Sequence, residues 1–345
     1  MEHIPEAAAF GPHDANRRAR LRVLLLGVTG HCNLRCGMCS IWKDPPSRLS
    51  PEHLRVVLDD PQVQGHLEYL GITGGEPLLH KGLGDVVIEA SRTCRALREV
   101  CITTNGSLPD RLAILGAQIA EICALQGQRL VLNLSIDGVG SVHDTQRGVQ
   151  GAFERALRSL GVAKEIASEH DNVSVTLSAV ITGSNASHVM GLLRFAQSQN
   201  IPAVLSLPLE TDAYYRTDRT DGNWKLLPEQ RQELESLFRR LLRTSVITRP
   251  EDDLSRLHLE HLLSYLGGGA RRARCVFRER EGCLVTATGD VFLCGGGEAF
   301  RLGHLNDGPP SALLQSGSSA AQIEEREAVC GRCPSVCYLH AVGQD

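Results

Sequence analysis

Thr29-Gly30-His31-Cys32-Asn33-Leu34-Arg35-Cys36-Gly37-Met38-Cys39 comes directly after the apolar run Leu21 to Val28. The run reads as a buried strand, and the Thr-Gly that closes it delivers three thiols, Cys32, Cys36 and Cys39, onto a loop at the strand's carboxyl end. A structural zinc or a fully protein-bound iron-sulfur cube takes four protein ligands, and no fourth cysteine or well-spaced histidine follows within the loop. One metal position is therefore open. His31 stands beside Cys32 and is a poor fourth zinc ligand, because neighbours in sequence seldom both reach one ion. Nor does the loop suit inert thiols, being short, polar and rich in Asn, Arg and Gly.

Outward from this loop, length and composition set bounds. A chain of 345 residues, 42% of them apolar, can bury one large core and a smaller satellite. Its 36 basic and 40 acidic residues give no global attraction to nucleic acid or to an anionic membrane. No segment approaches a membrane-spanning length, and the N-terminus, with Glu2, Glu6 and Asp14, lacks a signal peptide's apolar core, so a cytoplasmic protein is expected. The twelve cysteines fall into a group of three, a group of six and three singles. In a reducing compartment that grouping reads as metal binding, with Cys94, Cys101 and Cys123 as packing residues in apolar segments.

Downstream, Ser50-Pro51-Glu52 is a helix start, with serine as N-cap and proline at the first helical position. Strands are expected at His66 to Thr73, Arg98 to Thr104, Arg129 to Ile136, Asn172 to Ile181 and Pro202 to Leu207, with helices between them. Six strand-helix alternations specify a parallel sheet, doubly wound or curved into a partial barrel, and pattern alone leaves both open. In either, ligands bind at the carboxyl ends of the strands, where the polar motifs fall. Among these, Gly74-Gly75-Glu76-Pro77 ends the second strand, its glycines permitting close backbone approach and its carboxylate placed at a pocket rim.

The CxxxCxxC spacing after the first strand resembles the cluster loop of radical S-adenosylmethionine (SAM) enzymes. The resemblance implies a partial (β/α)6 barrel and a [4Fe-4S] cluster held by Cys32, Cys36 and Cys39. It also implies SAM on the fourth iron and cleavage to a 5′-deoxyadenosyl radical. Met38 stands where the family often has an aromatic against the adenine, a role a thioether can fill. By the same resemblance, Gly74, Gly75 and Glu76 hold the SAM amino group, and Thr104-Asn105 lies near its methionine and ribose. Ser135-Ile136-Asp137-Gly138 with His143-Asp144-Thr145-Gln146-Arg147 resembles a further family segment, in which Ser135 bonds the ribose and Arg147 approaches the carboxylate.

Near the C-terminus come Cys275, Cys283, Gly289, Cys294, Cys330-Gly331-Arg332-Cys333 and Cys337, enough thiols for a zinc or an iron-sulfur site. Leu284 to Thr288 and Val291 to Leu293 flank Gly289-Asp290 as a hairpin that brings Cys283 and Cys294 near each other. This region resembles the SPASM/Twitch module of radical SAM enzymes. The resemblance implies a second, auxiliary [4Fe-4S] cluster on Cys275, Cys294, Cys330 and Cys333, or alternatively on Cys275, Cys283, Cys294 and Cys337. Four parts follow: a flexible arm at 1–21, the barrel at 22–210, a helical linker at 211–270 and the auxiliary module at 271–345.

What the motifs specify is radical generation. By resemblance the partners are an electron donor such as flavodoxin or ferredoxin and a small-molecule substrate, because an arm of some twenty residues leaves no room for a leader-binding domain. Sugar, cyclitol or nucleoside substrates of antibiotic biosynthesis come first, with oxidation or an elimination such as decarboxylation. Epimerisation with Cys283 or Cys337 as hydrogen donor, and peptide maturation, are the enzyme alternatives. A non-catalytic Fe-S or zinc scaffold is the alternative outside enzymes.

Overall fold

The structure, a computed structural model, describes residues 20–243, 253–271, 274–316 and 320–335. Cys337 and most of the expected N-terminal arm lie outside them.

Among the described residues nine strands form one sheet: β1 (Val23–Thr29), β2 (Tyr69–Gly74), β3 (Glu99–Thr104), β4 (Arg129–Ser135), β5 (Val173–Val180), β6 (Ala203–Ser206), β7 (Gly282–Val285), β8 (Asp290–Phe292) and β9 (Arg301–His304). The helices of the first half are α1 (Pro51–Leu58), α2 (Pro61–His66), α3 (Leu83–Thr93), α4 (Pro109–Leu125), α5 (Ser141–Arg147), α6 (Ala152–Glu169) and α7 (Val189–Ser198). After them come α8 (Pro228–Arg243), α9 (Asp253–Leu266), α10 (Pro310–Gln315) and α11 (Ala320–Cys330).

The sheet order is β6-β5-β4-β3-β2-β1-β7-β8-β9, with β1 to β6 parallel. A doubly wound sheet reverses its order at a switch point, whereas here each strand adds on the same side of the last. With right-handed crossovers, the connecting helices then cover one face and leave the other to the site. This is the partial barrel winding. It does not close, because β1 takes β7 as its second neighbour, in parallel register from Val23 opposite Gly282 to Leu26 opposite Val285. The expected hairpin exists, with Leu284 opposite Phe292 and Val285 opposite Val291, but it continues the barrel sheet and does not stand apart as a satellite.

Local sequence explains most boundaries. Ser50 caps α1 by accepting from the His53 amide, with Pro51 behind it. The second strand starts at Tyr69 and not at His66, because Asp60-Pro61 starts a helix there, the Asp60 carboxylate accepting from the Gln62 amide. Strand residues Leu24, Leu26, Leu70, Ile72, Val100 and Ile102 are buried in one continuous core with the helices. Cys94, Cys101 and Cys123 belong to that core, as expected. No helix among the described residues is long and apolar enough to cross a membrane.

Candidate functional site

A cavity of about 420 Å³ opens where the carboxyl ends of the parallel strands meet the hairpin. Cys32, Cys36 and Cys39 line it, and so do Cys275, Cys294, Cys330 and Cys333. The two groups of thiols, far apart in sequence, therefore face one space.

The loop is fixed from two sides. Gly75 and Glu76 donate their amides to the Thr29 and His31 carbonyls at 2.7 and 2.8 Å. A Cβ on Gly75 would collide with the His31 carbonyl, so only glycine lets β2 end this close to the loop. From the other side, the Arg35 and Gly37 amides donate to the carbonyls of Arg147 (3.0 Å) and Gln146 (3.2 Å) at the end of α5. Gly148 follows with φ +65°, and a Cβ there would strike the Arg35 carbonyl. Asn33 adds a third tie, exchanging bonds with Asn105 and Ser107 beyond β3.

The buried thiols are costly to ionise. Burial pushes Cys32 up to about 11 and Cys39 up to about 12, and raises Cys36 as well. Among the described residues no three His, Cys, Asp or Glu side chains meet closely enough to hold a single ion. The three loop thiols border the cavity. That donor set fits a polynuclear iron-sulfur group, whose irons each take a different thiolate and whose charge offsets the burial cost.

Met38, Gly74, Gly75, Thr104, Asn105, Ser135 and Arg147 all border the cavity. Glu76 differs from expectation. It is fully buried and does not border the cavity; its carboxylate accepts from the Leu78 amide (3.0 Å), the Thr104 hydroxyl (2.8 Å) and the Asn105 amide (2.7 Å). The rim position read from the sequence is thus corrected: Glu76 locks β2 to β3 beneath the cavity. Cys283 is corrected as well. It is fully buried in the core, and its neighbour Leu284 is the one that borders the cavity, since successive strand residues face opposite ways. As placed, Cys283 cannot donate hydrogen to a molecule in the cavity, and the auxiliary ligand set that includes it is disfavoured.

Several lining groups have no motif of their own. Tyr214 and Tyr215 form an edge-to-face pair with centroids 4.8 Å apart, and the Tyr214 hydroxyl lies 3.4 Å from Thr73 Oγ1. Both tyrosines, at the start of the expected linker, are cavity wall. Trp42 donates its indole N–H to the Cys39 carbonyl at 2.9 Å, beneath the cations of Arg35 and Lys43. Arg271 and Arg278 border the space beside the C-terminal cysteines. Asp137, quoted in a motif but given no task there, pairs with Arg147 at 2.6 Å. An Asp-Gly after a strand reads as a turn, which hides that partnership.

Residues 26–196 match the family model described as "Radical SAM superfamily". Pre-heme d1 synthase of Dinoroseobacter shibae is 31% identical over 188 residues, covering 52% of this chain and 41% of that protein. SkfB of Bacillus subtilis, a sporulation killing factor maturation protein, is 29% identical over 48% of this chain and 37% of its own. The chain thus spans about two fifths of the length of such curated relatives. Among solved structures, native anSMEcpe with bound AdoMet superposes with a TM-score of 0.62 at 21% identity, covering 88% of this chain and 82% of that one, a likeness of fold.

Proposed function

The chain belongs to the radical SAM superfamily, and from that premise we propose that it abstracts hydrogen from a sugar, cyclitol or nucleoside-type small molecule, leading to oxidation or elimination. It is an enzyme whose cofactors are a [4Fe-4S] cluster and SAM. Cys32, Cys36 and Cys39 would hold that cluster, and Cys275, Cys294, Cys330 and Cys333 an auxiliary one. When bound, these groups supply one-electron cleavage of SAM to a 5′-deoxyadenosyl radical and a sink for a second electron.

The observation that carries the reading is the single cavity shared by both sets of cysteines. A substrate there lies between the place of hydrogen abstraction and the place to which an electron can leave. The chain's own residues bind, orient and enclose. Gly74 and Gly75 offer backbone at close approach, Thr104 and Asn105 are held in place by Glu76, and Ser135 and Arg147 present a hydroxyl and a cation. Thr73, Thr103, Asn133, Ser178, Ser206 and Tyr214 add neutral hydroxyl and amide groups, while no carboxylate, lysine or histidine side chain borders the cavity among the described residues. These neutral groups, set among largely apolar walls with the cations of Arg147, Arg271 and Arg278, supply hydrogen-bond partners for a polyhydroxylated molecule.

A second reading, maturation of a peptide, draws on the similarity to SkfB. The test is anaerobic reconstitution followed by product analysis with a panel of aminoglycoside and nucleoside intermediates, beside peptide substrates. SAM cleavage coupled only to a peptide would replace the first reading with the second.

A further inference from the structure

Asp137 stands just past β4 with its side chain wholly out of solvent; its Oδ1, amide and carbonyl are hydrogen-bonded, and its Oδ2 is in ion-pair contact without hydrogen-bond alignment. Its Oδ1 accepts from the Val180 amide at 2.9 Å, its own amide donates to His143 Nδ1 at 3.1 Å, and its carbonyl accepts from Asn185 Nδ2 at 2.8 Å. The remaining oxygen, Oδ2, lies 2.6 Å from Arg147 Nε. The other edge of the same guanidinium points at the cluster loop, with Nη1 at 3.8 Å from Cys36 Sγ. Burial works against the Arg147 cation, and the Asp137 carboxylate and Cys36 more than restore it, leaving its pKa above the ordinary value.

We propose that Asp137 is a positioning residue that pins the Arg147 guanidinium against the Cys36 sulfur, so that a fixed cation beside this ligand raises the reduction potential of the loop cluster. The proposal rests on the reading that Cys32, Cys36 and Cys39 hold a cluster. A hydrogen-bonded cation at a ligating sulfur favours the more negative, reduced state, which is how surrounding groups tune such centres. This task is additional to any contact of Arg147 with a molecule in the cavity, which the residue also borders. The guanidinium is held by a carboxylate on one side and directed at a thiol on the other.

Potentiometric titration of the reconstituted full chain, followed by electron paramagnetic resonance, tests this. The loop cluster's signal is the one lost in the Cys32→Ala, Cys36→Ala, Cys39→Ala variant. Arg147→Gln is expected to lower the midpoint of that signal. Asp137→Asn is expected to lower it too, by a similar amount, and the double variant no further than either single one. The sign is decisive, because removing a negative charge without moving the arginine would raise the midpoint. A raised or unchanged midpoint in Asp137→Asn overturns the proposal. Should that variant fail to fold, Asp137→Ser, which keeps an acceptor for the Val180 amide and offers Arg147 no charge, is held to the same outcomes. If the triple cysteine variant loses neither iron nor signal, it is the reading of the loop as a cluster site that fails.

Discussion

Three donors meet on the buried Glu76 carboxylate, so truncating it strands the Leu78 and Asn105 amides and the Thr104 hydroxyl in a dry interior. Each hydrogen bond to a charged group is worth about 1.5–3 kcal/mol, and orphaned buried donors add their own cost. Glu76→Ala is therefore expected to lose about 3 kcal/mol or more of unfolding free energy in a denaturant titration, with SAM affinity falling because Thr104 and Asn105 shift. Weakened SAM binding at unchanged stability would instead make Glu76 a direct ligand. His143 makes a second prediction at this scale. Burial and the nearby Arg147 cation depress its imidazole from 6.5 to about 3, and His261 is likewise lowered to about 4 by burial and the Arg271 cation. Above pH 6.5 both folded and unfolded chains hold these rings neutral; below it only the unfolded chain takes up the protons, so stability falls as the solution is acidified. His143→Gln should flatten that acid-side loss between about pH 6.5 and 4, read by chemical denaturation across pH. The same slope in variant and parent would exclude His143 as its source. Both residues were visible in motifs. Their surroundings were not, because burial depends on what other strands bring against a side chain.

At the scale of elements, the parallel strands and their helices were legible because each is a short apolar run closed by its own cap or turn. Pro109, at the first helical position, marks the start of α4, and Ser50-Pro51 announced α1. The pairing of β7 with β1 was not legible. It joins segments more than 250 residues apart, and no local period encodes which edge a late hairpin will extend. Among the side chains that tie that late addition to the barrel is Asp60, which caps α2 through the Gln62 amide and also accepts from the Ser311 amide and hydroxyl, both at 2.8 Å, at the start of α10. Asp60→Ala removes a helix cap worth about 1 kcal/mol and two charge-assisted bonds, and a total loss of about 2–4 kcal/mol is expected. Limited proteolysis should then cut the C-terminal region sooner than the barrel. Equal cleavage kinetics in variant and parent would mean that the register with β1 and contacts such as Arg22–Glu281 and His53–Asn306 hold the C-terminal region without Asp60.

For the whole molecule, seven described cysteines from two distant segments border one cavity, and on the proposed reading the reaction's outcome would depend on the C-terminal thiols. Two cubes would give about eight irons per chain, and loss of Cys32, Cys36 and Cys39 together should leave about four and abolish SAM cleavage. A parent protein with iron for one cube, or zinc in the C-terminal region, would contradict that count. The fate of the substrate radical then separates the chemistries. Oxidation needs somewhere for an electron to go, so Cys294→Ala should stop product while 5′-deoxyadenosine still forms. Epimerisation needs a donor thiol at the cavity. Cys283 faces the core instead, so Cys283→Ala should keep both its iron and its product. Elimination leaves a radical that must gain an electron and a proton, and product formed in deuterated water would then carry solvent deuterium. Oxidation is expected first, because Cys294 borders the same space as Cys39 and Met38 whereas the described spare thiol does not. Product with inverted configuration, carrying solvent deuterium and lost in Cys337→Ala with the iron count intact, would reverse that order.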